Sequence, residues 1–254
     1  MEIKKANMDY ISKETEEFLG VPFKFNPGNF GSIATARQNT EIDVIYAPVW
    51  SDWIDAMFWT AFTTWNNGHE IDLSKIAVKK REQLAINFLK QRPVSAVLES
   101  AVFVIKMDNV PRAMTHQIVR HRGMAFNQES YRVTPAHHAD FRIPEGLTTD
   151  QKDDILDRAN ESRSLYVRLI SDGVPIEQAR NVLGMGTCTH IVMTANLKVM
   201  QDYIKARTQE IAQDEHTYIV LRIAAELKKN CPEFYDNFFK SEKLEQMMKE
   251  YKVE

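Results

Sequence analysis

The apolar positions of this 254-residue chain recur mostly at the three-to-four-residue spacing of helices. Residues 148–170 carry an amphipathic pattern, with a Thr or Asp to cap its start and Ser171-Asp172-Gly173 to end it. Residues 72–91 predict a second amphipathic helix, starting at Asp72 or Ser74, and residues 189–229 hold the longest helical pattern of all. Pro175 opens a short helix, and the charged, amphipathic stretch 241–254 predicts a surface or oligomer-contact helix. Residues 102–105 read differently: short, β-branched and aromatic, they predict a buried strand. Residues 33–39 fit a strand or a strand-to-loop transition, residues 1–30 a short helix or arm with a loop at Asn26-Pro27-Gly28, and Asn66-Asn67-Gly68 a turn. Within residues 41–66, Trp50, Trp53, Phe58, Trp59, Phe62 and Trp65 fall at helical spacing, which favours core or interface packing over a ligand cage.

One stretch fits neither a core helix nor an ordinary solvated face. Residues 111–132, PRAMTHQIVRHRGMAFNQESYR, hold four arginines, two histidines and two glutamines against a single acid, Glu129. Pro111 suits the first turn of a helix and Gly123 its end; between them Ala113, His116, Gln117 and Arg120 share one face, beside an apolar stripe of Met114 and Ile118. If the chain is extended beyond Gly123, Ser130 and Arg132 point the same way. From Lys106 to Arg132 five basic residues face two acidic ones, a local +3 in a chain whose total is −3. Guanidinium forks bind phosphate through paired N–H groups, and a Ser hydroxyl completes such sites, so the stretch predicts an anion or nucleotide site. Basic residues that merely complement a helix C-terminus would explain Arg120 and Arg122 but not Ser130 and Arg132.

Composition narrows the field. Nine Gly and nine Pro are few for this length and favour helices over a turn-rich β fold. Cys188 and Cys231 have no metal or disulfide spacing and read as reduced thiols; Cys188 lies in GMGTCTH, a flexible-looking segment. His137-His138 lack a surrounding carboxylate frame and read as a surface loop, so no metal is expected. The N-terminus has no apolar signal core and no apolar run approaches the roughly 18 residues of a membrane span, so the expected setting is the cytoplasm. A net acidic chain with its basic residues concentrated in one place argues against a nucleic-acid binder.

Arg120-His121-Arg122, seven residues, then Ser130 resembles the RHR-x7-S signature of flavin-dependent thymidylate synthases. The approach through Arg112-Ala113 and His116-Gln117 and the exit through Phe126-Asn127, Ser130 and Arg132 are similar too, as are Glu99 after Val97-Leu98 and Ala179-Arg180-Asn181-Val182-Leu183. The resemblance covers residues 93–218 and implies an α/β (α+β) fold with a mixed central sheet flanked by long helices. The whole of 1–254 is then one domain, with 41–90 as a candidate insertion and 230–254 as a C-terminal helical tail.

The resemblance also implies an activity and a division of labour. The enzyme would transfer a one-carbon unit from methylenetetrahydrofolate to C5 of dUMP, with FAD mediating reduction by NADPH, in a homotetramer whose sites are shared between subunits. Ser130, Arg132 and Arg180 become phosphate-binding candidates, Gln117 and Gln128 read the nucleotide, and Arg120 lies between nucleotide and flavin. Arg207 grips the uracil ring and is the catalytic candidate; it can stabilise charge developing as C5 becomes nucleophilic. Glu99, His121, Arg122, Asn196 and Asp202 are flavin-side candidates, and the helical pattern puts Asn196, Tyr203 and Arg207 within about 20° of one face. No GxGxxG is present, so a flavin would be held by arginines and loop backbone. Departures fall mainly on the flavin side: Ser100 and Ile211 stand where His is usual and Asp202 where Asn is usual, while Val133 replaces an aromatic and Gly184 a Pro. Alternatives that keep the nucleotide site are a dUMP hydroxymethylase, a UMP methylase, or a non-catalytic nucleotide-binding relative.

Overall fold

The computed structural model describes residues 33–34, 40–63, 72–91 and 95–253. The expected N-terminal arm, the loop at Asn26-Pro27-Gly28 and the turn at Asn66-Asn67-Gly68 lie outside them. The chain divides into two units, one of Gln38–Asn127 with His190–Glu254 and one of Met1–Arg37 with Gln128–Thr189.

The larger unit is built on a four-stranded sheet in the order Glu41–Tyr46, Val102–Pro111, Cys188–Asn196, Met124–Gln128. Alternation along Val102–Pro111 buries Phe103, Ile105 and Met107 completely, the period-two pattern of a strand with one face inward. Glu41–Tyr46 pairs with it antiparallel, Ile42 opposite Met107 and Val44 opposite Ile105, with an irregularity between Val44 and Tyr46. The helix Asp214–Asn230 is apolar nearly all round, from Tyr218 to Leu227, and is accordingly buried in the core. Helix Trp50–Thr63 turns Trp53, Met57 and Phe58 inward; Phe234 meets Trp50 edge-on at 4.9 Å and Phe103 edge-on at 5.2 Å. Trp53 is therefore core, as expected, and Trp50 packs partly buried against it, whereas Trp59 is exposed. The C-terminal helix Glu242–Glu250 starts at a Ser241 cap and buries Leu244 and Met248.

The smaller unit packs Tyr131, Ala136, Ala139, Tyr166 and Ala179 around the long helix Thr149–Ser171. That helix opens with a reciprocal capping box between Thr148 and Gln151, and the buried Tyr166 hydroxyl accepts the Ala136 backbone N–H at 3.0 Å. Ile33–Ala34 pairs in parallel with Phe141–Arg142.

Several expectations are corrected. Residues 189–229 are not one helix: Cys188–Asn196 is a strand, and helices Leu197–Arg207 and Asp214–Asn230 follow, separated by a turn. Asn196 is consequently an N-cap, its side chain accepting from the Val199 N–H at 2.9 Å, and does not share a helical face with Tyr203 and Arg207. The helix after Pro111 covers only Arg112–Ile118, so Arg120 to Gly123 form a turn. Residues 41–46 are strand, the 73–75 turn precedes a helix beginning at Val78, and the strand at 102–105 runs on to Pro111. Ser130 and Arg132 are not on an extended segment but start and sit in a turn, closed by Val133 N–H and Thr134 N–H to Ser130 O, each at 2.9 Å. His137 is buried in a 3-10 turn while His138 is exposed, and Cys188 is buried within a strand. Among the described residues no helix is long and apolar enough to cross a membrane.

Candidate functional site

In the larger unit the turn after helix Arg112–Ile118 meets the end of helix Leu197–Arg207. Arg207 Nε donates to His121 Nε2 at 2.9 Å, which requires that nitrogen to be unprotonated. Burial, and then the Arg207 charge, hold the His121 imidazole below its ordinary range. The His121 ring stands edge-on to Tyr203 at 4.8 Å. Arg207 is fixed from behind as well, its backbone O accepting the Thr217 hydroxyl at 3.0 Å. With Nε committed, the two terminal guanidinium nitrogens remain as the donors Arg207 can offer to a carbonyl or an anion.

A second layer lies beneath. Tyr203 and His216 are both buried, and their Oη and Nε2 atoms are 2.8 Å apart. His216 Nδ1 is 3.4 Å from Gln117 Oε1, and Gln117 Nε2 donates to Gln213 Oε1 and, at 3.5 Å, to Ala113 O. Burial first, then Arg207 and His121, push the His216 imidazole down to about 3, so it is neutral at physiological pH. Burial raises the Tyr203 phenol well above its usual range.

Of the expected residues, the structure thus joins Arg207 to His121 directly, and Gln117 to them through His216 and Tyr203. Arg120 and Arg122 flank His121 on the same turn, exposed, and among the described residues no carboxylate is paired with either. Such exposed guanidinium groups suit the diphosphate of FAD. The turn depends on Gly123, whose φ is +82° and where a Cβ would come within 2.8 Å of Val199 Cγ2. Glu99 is exposed on the turn after Ser95–Leu98. Asp202 is exposed and paired with Lys198 one turn away, and Asn196 Oδ1 is engaged as the helix cap.

At position 100 the side chain has a local task. Trp53 Nε1 donates to Ser100 Oγ at 2.9 Å, and Ser100 Oγ donates to Val97 O at 2.8 Å. Ile211 is almost entirely exposed on the turn between the last two helices of the site.

In the smaller unit, Gln128 is half-buried and Ser130 and Arg132 are exposed; the Arg132 N–H points to Ser130 Oγ at 3.4 Å. Arg180 opens the 3-10 turn Arg180–Val182 and its Nε donates to Glu177 O at 3.3 Å. Sequence reasoning missed His216 and Gln213. The signal was there: a lone His opens the apolar run TYIVLRIAA, one turn after a Gln.

Comparison with known proteins bears on these residues. A family model described as thymidylate synthase complementing protein matches residues 53–233. A flavin-dependent thymidylate synthase of Saccharolobus solfataricus is 30% identical over 175 residues, 63% of this chain and 67% of that protein. One from Sulfurisphaera tokodaii is 30% identical over 142 residues, 55% of each. The chain thus spans between about half and two thirds of the length of these curated relatives. Among solved structures, the UMP/dUMP methylase PolB from Streptomyces cacaoi, bound with 5-Br dUMP, matches with a TM-score of 0.62 at 17% identity, over 83% of this chain and 96% of that one. At that identity the likeness is one of fold, and it agrees with the mixed α/β architecture.

Proposed function

The chain belongs to the thymidylate synthase complementing protein family, and from that premise we propose that it is a flavin-dependent enzyme transferring a one-carbon unit to C5 of dUMP. The observation that carries this reading is the Arg207–His121 hydrogen bond, which fixes a guanidinium, with Gln117 joined to it through His216 and Tyr203. In the proposed complex Arg207 donates to a uracil carbonyl and stabilises the negative charge that develops as C5 becomes nucleophilic, while His121, neutral, keeps the guanidinium oriented without repelling it. Gln117 donates to the pyrimidine, and Gln128, Ser130, Arg132 and Arg180 supply nucleotide and phosphate contacts. Arg120, His121 and Arg122 would hold FAD, with Glu99, Asn196 and Asp202 around it on the strength of the resemblance. FAD, when bound and reduced, supplies the electrons that complete the transfer. We include in the proposal NADPH as reductant, methylenetetrahydrofolate as carbon donor and a homotetramer, on the strength of the resemblance carried by residues 120–130, and the cytoplasmic setting expected from the sequence.

The test is anaerobic incubation of the purified protein with dUMP, methylenetetrahydrofolate, FAD and NADPH, followed by the mass of the nucleotide product. A gain of one methyl group supports thymidylate formation. A second reading, hydroxymethyl transfer, keeps the same nucleotide site; it predicts a product heavier by one further oxygen. Unchanged dUMP with bound flavin would sink both.

A further inference from the structure

We propose that His216 is a positioning residue that fixes the orientation of the Gln117 amide, so that Gln117 turns its N–H donor, not its oxygen, toward the place Gln213 now occupies. The inference rests on the nucleotide reading above for the identity of the ligand, but not for the orientation itself.

Three contacts set the direction of the hydrogen bonds. Tyr203 is 1% exposed, and among the described residues its hydroxyl has a single hydrogen-bond partner, His216 Nε2 at 2.8 Å. A buried hydroxyl must place its proton on an acceptor, so Tyr203 donates and Nε2 is unprotonated. A neutral imidazole then carries its proton on Nδ1, and Nδ1 faces Gln117 at 3.4 Å. The atom of Gln117 turned toward it has to be the oxygen. The far side agrees independently: the Gln117 nitrogen faces two acceptors, Ala113 O and Gln213 Oε1. Turning the amide over would set N–H against N–H at His216 and oxygen against oxygen at the backbone Ala113 O.

Gln213 shows what such an amide selects. It is an exposed side chain whose oxygen occupies the place an incoming acceptor would take. A ligand carbonyl can replace that oxygen, with Gln213 swinging into solvent; a ligand N–H cannot. His216 therefore acts at a distance from the ligand, through Gln117.

Two measurements test this. Side-chain 15N NMR of the ligand-free protein should show His216 neutral with the proton on Nδ1, and Tyr203→Phe, which removes only the hydroxyl, should shift it toward the other tautomer. An Nε2–H tautomer or an imidazolium in the unaltered protein would overturn the inference. In a double-mutant cycle on dUMP affinity, His216→Leu should weaken binding about tenfold, the effect of one hydrogen bond. In the Gln117→Ala background the same change should weaken it less than about twofold. Equal losses in both backgrounds would mean His216 does not act through Gln117. Wild-type protein with the Nδ1–H tautomer but no dUMP binding would remove the proposed substrate while supporting the fixed amide.

Discussion

The neutral, buried His216 makes the larger unit sensitive to acid in a way that can be measured. Burial chiefly, then Arg207 and His121, take its pKa from 6.5 to about 3. Because the folded value is depressed, the unfolded chain binds the proton first as pH falls. Stability is intact above about 6.5, falls through the window from there to about 3, and levels below it. Each pH unit in that window costs about 1.4 kcal/mol, so near pH 5 the loss from this one residue is about 2 kcal/mol. His216→Gln removes the titration while keeping a polar side chain beside Tyr203 and Gln117. It should lower stability at pH 7.5, yet the gap to wild type should shrink by about 2 kcal/mol at pH 5. Urea unfolding of both proteins at pH 7.5, 6.5, 5.5 and 5 reads this directly, since His121 and the carboxylates titrate in both and largely cancel. Stability curves that run parallel from pH 7.5 to 5 would show that His216 is not held neutral, and the hydrogen-bond direction argued from it would fail.

Other consequences are simpler. Arg207→Ala should abolish product formation while the flavin absorbance of the purified protein remains; loss of flavin alone would misplace that helix in the proposed site. Arg132→Ala should weaken dUMP binding by roughly 1.5–3 kcal/mol by calorimetry if its guanidinium makes a charge-assisted phosphate bond. Gly123→Ala should destabilise by at least about 1–2 kcal/mol, because the residue sits at φ +82° and its new Cβ meets Val199; thermal melting checks it. Thr148→Ala removes one arm of the capping box and should cost about 1 kcal/mol in the same assay.

Part of the candidate site was legible because it breaks the rules of an ordinary core. Arginines crowded between 112 and 132, with one nearby Ser, have few structural explanations, and His121 does meet Arg207, with Gln117 joined through His216. What pattern could not give was the junction across 86 positions between His121 and Arg207, since no local spacing encodes a tertiary contact. The strand Cys188–Asn196 was hidden for a different reason. Its apolar positions run on smoothly into those of the next helix, so periodicity alone saw one element. Thr189, Ile191, Val192 and Thr194 are β-branched, and Asn196 is a good N-cap; weighing those would have split the segment correctly. His216 was overlooked because a polar residue in an apolar helix reads as an exception until its partners are known.

The departure at position 100 and the tryptophan-rich helix explain each other. Trp53 is buried, and a buried indole N–H without an acceptor costs about 1–3 kcal/mol. Ser100 Oγ provides that acceptor at 2.9 Å and disposes of its own proton on Val97 O at 2.8 Å. A hydroxyl has one proton to give, so once it is committed to Val97 this side chain has no donor left for a flavin. Ser100 can still accept, but a flavin carbonyl or phosphate needs donors. Any such duty passes to the exposed guanidinium groups of Arg120 and Arg122, which no carboxylate holds among the described residues. The substitution at 100 would thus change how the proposed flavin is gripped, through helix packing, and leaves untouched the Arg207–His121 pair and the Gln117 network proposed to face the nucleotide.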